Sequence, residues 1–135
     1  GKEVQTMMYA DTDFLLALVK EDDWLKENAE RIFHFHEKEI WTSPFVLQEL
    51  MMIAHRDKIS VEKIIDQVCI LVRVHPVELT PELCRKAVQL IREFSTTPFD
   101  AFHVLACGND PIISSDKKYD LVGVKRIKLE ERAKK

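Results

Sequence analysis

Cysteine is scarce and unpaired. Cys69, Cys84 and Cys107 lie far apart in apolar segments with no Cys-x-x-Cys among them, which argues against a disulfide framework or a structural zinc site and predicts buried, reduced thiols. Only 3 Gly and 5 Pro occur, so no Gly/Ser linker or low-complexity tract separates domains or keeps the chain unfolded. Long apolar runs are missing as well. The longest, Phe14 to Val19, falls far short of the roughly 20 residues a membrane-spanning helix needs. No signal-peptide pattern occurs near the N-terminus, and the expected location is the cytoplasm. Nor is there an excess of basic charge: Lys plus Arg less Asp plus Glu is 20 − 23 = −3. Any contact with nucleic acid must therefore come from a local patch rather than a general field.

What is present suits one folded domain. The chain has 135 residues, of which 46% are hydrophobic, enough for one buried core but not two. A single domain over residues 1–135 is expected, with its core at about 7–127 and a charged tail, 128–135, that frays. Val4 to Ala10 reads as a strand, followed by Asp11 as a helix cap for Phe14 to Val19. Helical spacing resumes at Asp22, and Glu39 to Thr42 reads as a second strand. Ser43 and Pro44 open an unusually apolar helix to about His55, and Ser60 caps the helix Val61 to Val72. Arg73 to Leu79 reads as a third strand. Thr80 and Pro81 open a helix to Phe94, Ser95 to Pro98 breaks it, and Asp100 opens a short helix to Cys107. Ile112 to Ser114 and Leu121 to Ile127 read as the last two strands. Short apolar strands alternating with helices predict an α/β fold, a parallel central sheet sandwiched by helices. In such sheets ligands bind beyond the carboxyl ends of the strands.

Four acids stand where a solvated helix face does not explain them: Asp11 after the first strand, Glu49 inside an apolar helix, Asp100 opening another, and Asp116 after the fourth strand. Asp11 and Asp100 could be plain helix caps; Glu49 has no such role. Two carboxylates about 5 Å apart at an effective dielectric of about 20 repel by ~3 kcal/mol, so a cluster needs compensation. A divalent cation supplies it. Oxygen ligands without His or Cys nearby favour Mg²⁺ or Mn²⁺ over zinc, and such ions bind phosphates too, which points toward phosphate esters.

The segments carrying these acids resemble the motifs of the PIN-domain family of metal-dependent ribonucleases. Tyr9 to Leu18 is similar to that family's opening strand, Asp-Thr turn and apolar helix; Ser43 to Leu50 resembles its second motif, with Glu49 as the acid. Phe99 to Ala106 resembles the third, with Asp100 as the acid. Ile112 to Asp120 resembles the fourth, with Ser114 and Asp116 at its hydroxyl and acid positions and Asp120 at a further acid that some members carry. The resemblance runs from about residue 7 to residue 127. Asp13 departs from the family's usual Asn or other neutral polar residue, and either adds a metal ligand or merely solvates the first helix turn.

The resemblance implies that Asp11, Glu49, Asp100 and Asp116 converge to hold one or two Mg²⁺ or Mn²⁺ ions, with Thr12 and Ser114 as hydrogen-bond partners of the ligating carboxylates. Water on the metal would attack an RNA phosphodiester in line and leave a 5′-phosphate and a 3′-hydroxyl. Many members are the toxin half of a toxin–antitoxin pair, which makes a cognate antitoxin an expected partner beside the RNA substrate. Two other readings compete. Asp11-Thr12-Asp13 also resembles the nucleophile and acid pair of haloacid-dehalogenase phosphatases, although Leu15 stands where their usual Thr or Val would be, and Glu49 and Asp100 go unused. The chain could instead be a non-catalytic scaffold binding RNA or protein, against which the four intact acids argue.

Of the five histidines, His103, one helical turn after Asp100, is the one that could approach the acids; surface or core positions account for the others. Lys117, Lys118, Lys125, Arg126 and Lys128 form the densest basic run, with Lys117 and Lys118 the candidates for RNA phosphate contacts. A homodimer is also expected, because the apolar helix Phe45 to Ala54 and the stripes Trp24 to Phe33 and Val61 to Val72 exceed what one small sheet covers.

Overall fold

The computed structural model describes residues 6–132. Five short parallel strands, β1 (Met8–Ala10), β2 (Ile40–Thr42), β3 (Arg73–Val74), β4 (Ile112–Ser114) and β5 (Arg126–Lys128), form one sheet in the order β3-β2-β1-β4-β5. Helices α1 (Thr12–Val19) and α2 (Lys26–His36) connect β1 to β2, α3 (Pro44–Arg56) and α4 (Val61–Leu71) connect β2 to β3, and α5 (Pro81–Phe94) and α6 (Pro98–Cys107) connect β3 to β4. The short α7 (Lys118–Val122) precedes β5. Every residue of β1, β2 and β4 is buried, as expected of a parallel sheet covered on both faces. The chain builds outward from β1 through β2 to β3, then returns to the other side of β1 for β4. The β1–β4 pair is therefore the point where winding reverses, and the crevice beyond its carboxyl end is the favoured place for a ligand.

Local sequence explains the helix ends. Asp11 accepts from the Thr12 N–H, and Ser60, Thr80 and Thr97 each accept from the N–H three residues on. Pro44, Pro81 and Pro98 occupy first-turn positions, where a missing N–H goes unnoticed. Ser95 ends α5 in the left-handed region at φ 56°.

Several sequence expectations are corrected. Of the strand expected from Val4, the first residues lie outside those described, and pairing starts at Met8. The second helix begins at Lys26 rather than Asp22. The third strand stops at Val74 because β2, its sole partner, ends at Thr42; after the bond from the His75 N–H to the Thr42 carbonyl, Pro76 has no N–H to offer. Asp100 does not open α6. Thr97 caps it, and Asp100 sits in its first turn. Of the strand expected over Leu121 to Ile127, Leu121 and Val122 end α7, Gly123 at φ 86° closes that helix, and β5 starts only at Arg126. The tail does not fray at its beginning: Leu129 is fully buried, its N–H donates to the Ser114 carbonyl, and its own carbonyl accepts from Asn28. Cys107 is buried as expected, but Cys69 is exposed and Cys84 half-buried.

The apolar helix α3 is largely covered within the chain, since Phe45, Val46, Leu50 and Ala54 are buried and Phe45 stacks on Phe102 with ring centroids 4.8 Å apart. Met51, Met52, Trp24, Phe35 and Ile70 stay exposed. Among the described residues no helix is long and apolar enough to cross a membrane.

Candidate functional site

Beyond the carboxyl ends of β1 and β4 lies a cavity of about 410 Å³ lined by Asp11, Asp13, Glu49, Asp100 and Asp116, together with Thr12, Leu16, Ile53 and Ser115. The five acids arrive from four parts of the chain. Asp11 is the residue after β1, Asp13 is in the first turn of α1, Glu49 projects from α3, Asp100 from the first turn of α6, and Asp116 follows β4. Hydroxyls hold them in place. Asp11 accepts from Ser114 Oγ at 2.6 Å and from the Thr12 N–H at 2.8 Å. Asp13 accepts from both the N–H and the hydroxyl of Ser115, the former at 3.0 Å. Glu49 Oε1 accepts from Thr12 Oγ1 and lies 3.0 Å from His103 Nε2. Asp100 accepts from the Tyr119 hydroxyl at 3.2 Å, and the Asp116 N–H donates to Ser114 Oγ at 3.0 Å.

The electrostatics are those of a site short of positive charge. No Lys or Arg lines the cavity among the described residues. Burial, reinforced by Asp13, pushes the Asp11 carboxyl up to about 7 against the pull of His103, Ser114 and Thr12. Burial likewise raises Asp13 despite its bonds from Ser115, and burial followed by the Asp116 charge raises Asp100. Glu49 goes the other way: desolvation is outweighed by its bonds to His103 and Thr12. Asp13 Oδ1 is buried without a hydrogen-bond partner, a costly state for an anionic oxygen unless a cation or ordered water meets it. Asp11, Glu49 and His103 each place a ligand atom within 4.8 Å of the others'. A carboxylate-rich cavity with an orphaned anionic oxygen fits a hard divalent cation.

The family profile of the PIN domain matches residues 8–125. The chain belongs to the PIN-domain family. A sequence comparison with curated proteins finds no match. Among solved structures, this PIN chain is similar in fold to the sarcin-ricin loop cleaving toxin VapC20 of Mycobacterium tuberculosis, at 22% identity and TM-score 0.71 over 89% of this chain and 98% of that one. It is similar also to a chain of the DNA-bound VapBC of Salmonella typhimurium, at 14% identity and TM-score 0.69 over 92% and 98%. A chain of VapBC2 of Rickettsia felis, bound to a promoter DNA fragment, gives 15% identity and TM-score 0.64 over 90% and 96%. The parallel sheet flanked by helices is the PIN fold.

Of the acids singled out from sequence, Asp11, Glu49, Asp100, Asp116 and the extra Asp13 line one cavity. Asp120 does not. It turns away to pair with Arg126 at 3.0 Å, which holds its carboxyl below the usual range. Arg126 in turn leaves the basic run: its side chain is 2% exposed, bonded to Asp120, Glu130 and the Ser114 carbonyl. Lys117 and Lys118 are exposed beside Asp116. Thr12 and Ser114 touch the acids as hydrogen-bond donors. The all-oxygen surroundings inferred from sequence are corrected by His103, which is fully buried against Glu49 and 3.8 Å from Asp11 Oδ1. Tyr9, Ser43 and Ser115, which touch His103, each other or Asp13, were not singled out; Tyr9 and Ser43 read as core and cap, and Ser115 as part of a turn. The one sequence signal for His103 was its place a turn after Asp100 in an otherwise apolar helix.

Proposed function

We propose that this PIN-domain chain is a metal-dependent endoribonuclease and the toxin of a toxin–antitoxin pair. The observation that carries the reading is the convergence of five carboxylates, one with an orphaned buried oxygen, on a cavity at the reversal point of the sheet. Asp11, Glu49, Asp100 and Asp116 hold Mg²⁺ or Mn²⁺, with Asp13 adding charge to the same cavity. When bound, the ion supplies Lewis-acid charge and an activated water for in-line attack on an RNA phosphodiester. Thr12 and Ser114 orient Glu49 and Asp11. Lys117 and Lys118, exposed directly after Asp116 in the chain, meet flanking phosphates without reading bases. Asp120 is left out of the ligand set, because Arg126 already holds it.

The antitoxin partner and the RNA substrate are supported by the likeness in fold to chains of VapBC complexes and to a loop-cleaving toxin. Exposed Trp24, Phe35, Ile70, Met51 and Met52 offer surface for a homodimer or for that antitoxin. A phosphatase would use Asp11 and Asp13 alone, whereas here Asp13 is tied to Ser115 and three further acids share the cavity.

The test is incubation of the chain, with EDTA or Mn²⁺, with an RNA oligonucleotide and with a small phosphomonoester. Mn²⁺-dependent RNA cleavage leaving 5′-phosphate and 3′-hydroxyl ends, without monoester turnover, is expected. Monoester turnover inhibited by beryllium fluoride would favour the phosphatase, and RNA binding without cleavage a scaffold.

A further inference from the structure

A line of buried polar side chains enters the site from beneath the sheet edge. Ser43, the residue before α3, places its Oγ 2.6 Å from the Tyr9 hydroxyl; Tyr9, on β1, places that hydroxyl 2.9 Å from His103 Nδ1; and His103 Nε2 lies 3.0 Å from Glu49 Oε1. Ser43, Tyr9 and His103 all have zero exposure. A hydroxyl, a phenol and an imidazole in an apolar core are each costly unless bonded, and each is bonded here. Both ring nitrogens of His103 are engaged, so the ring cannot flip without losing a partner.

The line ends on one oxygen. Thr12 Oγ1 and His103 Nε2 both meet Glu49 Oε1, and Glu49 Oε2 has no protein donor among the described residues. A carboxylate held by one oxygen is turned about that oxygen in a fixed sense, and its free oxygen is left for whatever occupies the cavity that Glu49 lines.

We propose that His103 is a positioning residue of the site: backed by Tyr9 and Ser43, it joins Thr12 in holding Glu49 by Oε1 so that Oε2 is presented to the divalent cation. This rests on the reading that the acids hold a cation. The role differs from that of a ligand, since direct coordination would require Nε2 to turn its lone pair to the ion and give up donation to Glu49. It also follows the general behaviour of metal sites, in which losing a partner that orients a ligand costs roughly 10- to 100-fold in metal affinity.

The experiment titrates the EDTA-stripped full chain with Mn²⁺ alone and reads free Mn²⁺ by electron paramagnetic resonance, so no turnover is involved. His103→Leu is expected to weaken Mn²⁺ binding by roughly 10- to 100-fold. His103→Gln, whose amide N–H reaches the place of Nε2, should recover most of that loss. In a Glu49→Gln background, His103→Leu should cost nothing further, because its effect runs through Glu49. Pulsed resonance of the wild-type Mn²⁺ complex should show no coupling to a coordinated nitrogen. Should His103→Leu fail to fold, Tyr9→Phe carries the same test: it keeps the ring packing, removes the hydroxyl behind Nδ1 and should weaken Mn²⁺ binding. Wild-type affinity in the folded His103→Leu or in Tyr9→Phe, equal losses in the Leu and Gln variants, or a directly coordinated nitrogen would overturn the role while leaving the metal site standing. No Mn²⁺ binding by the wild type would overturn both.

Discussion

Asp100→Asn isolates the charge of one carboxylate from its hydrogen bonds. Asp100 Oδ1 accepts from the Tyr119 hydroxyl at 3.2 Å and its backbone N–H donates to Thr97 Oγ1 at 3.2 Å; asparagine keeps both, since its carbonyl oxygen can take the tyrosine bond. What disappears is a charge that burial, and then Asp116, already disfavour. Without metal the melting temperature should therefore hold or rise. With metal the sign reverses. At about 100 times the dissociation constant, Mn²⁺ stabilises a single-site protein by about 2.7 kcal/mol, which at about 4 °C per kcal/mol is a rise of about 11 °C. Taking the lost carboxylate as about a tenfold loss of affinity, the same Mn²⁺ concentration gives Asp100→Asn about 1.4 kcal/mol, or about 6 °C. Thermal melts with EDTA and with Mn²⁺ measure both numbers. Glu62→Gln, exposed on α4, should keep the full shift. Equal Mn²⁺ shifts in wild type and Asp100→Asn would refute the placement of Asp100 on the ion, and a large drop in the metal-free melt would show that its carboxylate supports the fold instead.

The unpartnered Oδ1 of Asp13 becomes a donor in Asp13→Asn, which keeps an oxygen for Ser115. Because burial raises the Asp13 carboxyl in the folded state, the native protein binds the extra proton and its stability falls as pH rises from about 4, the unfolded value. The metal-free advantage of Asp13→Asn should thus be absent in acid and grow toward neutral pH in guanidinium melts; a gap that stays constant or shrinks contradicts this. Arg126→Ala strands Asp120 and Glu130 and removes one of the two donors to the Ser114 carbonyl, leaving the Leu129 N–H. With both carboxylates partly exposed, the loss should be about 2 kcal/mol, below that for a fully buried pair, and a melting temperature within a degree of wild type would argue that the guanidinium is not structural. Lys117→Glu with Lys118→Glu should weaken single-stranded RNA binding and lower the salt slope by about 0.7 per lysine, while Mn²⁺ affinity stays as it was. An unchanged slope would move the RNA path elsewhere.

The alternation of strands and helices, the caps at Ser60 and Thr80, and the anomaly of Asp11, Glu49, Asp100 and Asp116 were all legible in the chain, whereas the cap at Thr97 was not. Caps and periodicity are local, and a carboxylate in an apolar context is conspicuous whatever surrounds it in space. Boundaries that depend on a partner were not legible. β3 is short because β2 ends, Leu121 is not in a strand because Gly123 lets the backbone close a helical turn first, and Leu129 is buried because Ser114 and Asn28 reach it from distant segments.

The site divides in the same way. Sequence alone determined which acids needed an explanation and which ions would suit them, because those follow from residue chemistry. Only the tertiary structure decided which acids share the cavity, since Asp120 and Asp116 are four residues apart on one loop and helix, yet Asp120 faces Arg126 while Asp116 faces the other carboxylates. It alone joined Ser43, Tyr9 and His103 into a line ending on Glu49. The physical reason is that hydrogen bonding and charge pairing act over about 3 Å of space, and residues separated by 34, 94 and 54 positions along the chain come within that distance only when the sheet and helices pack.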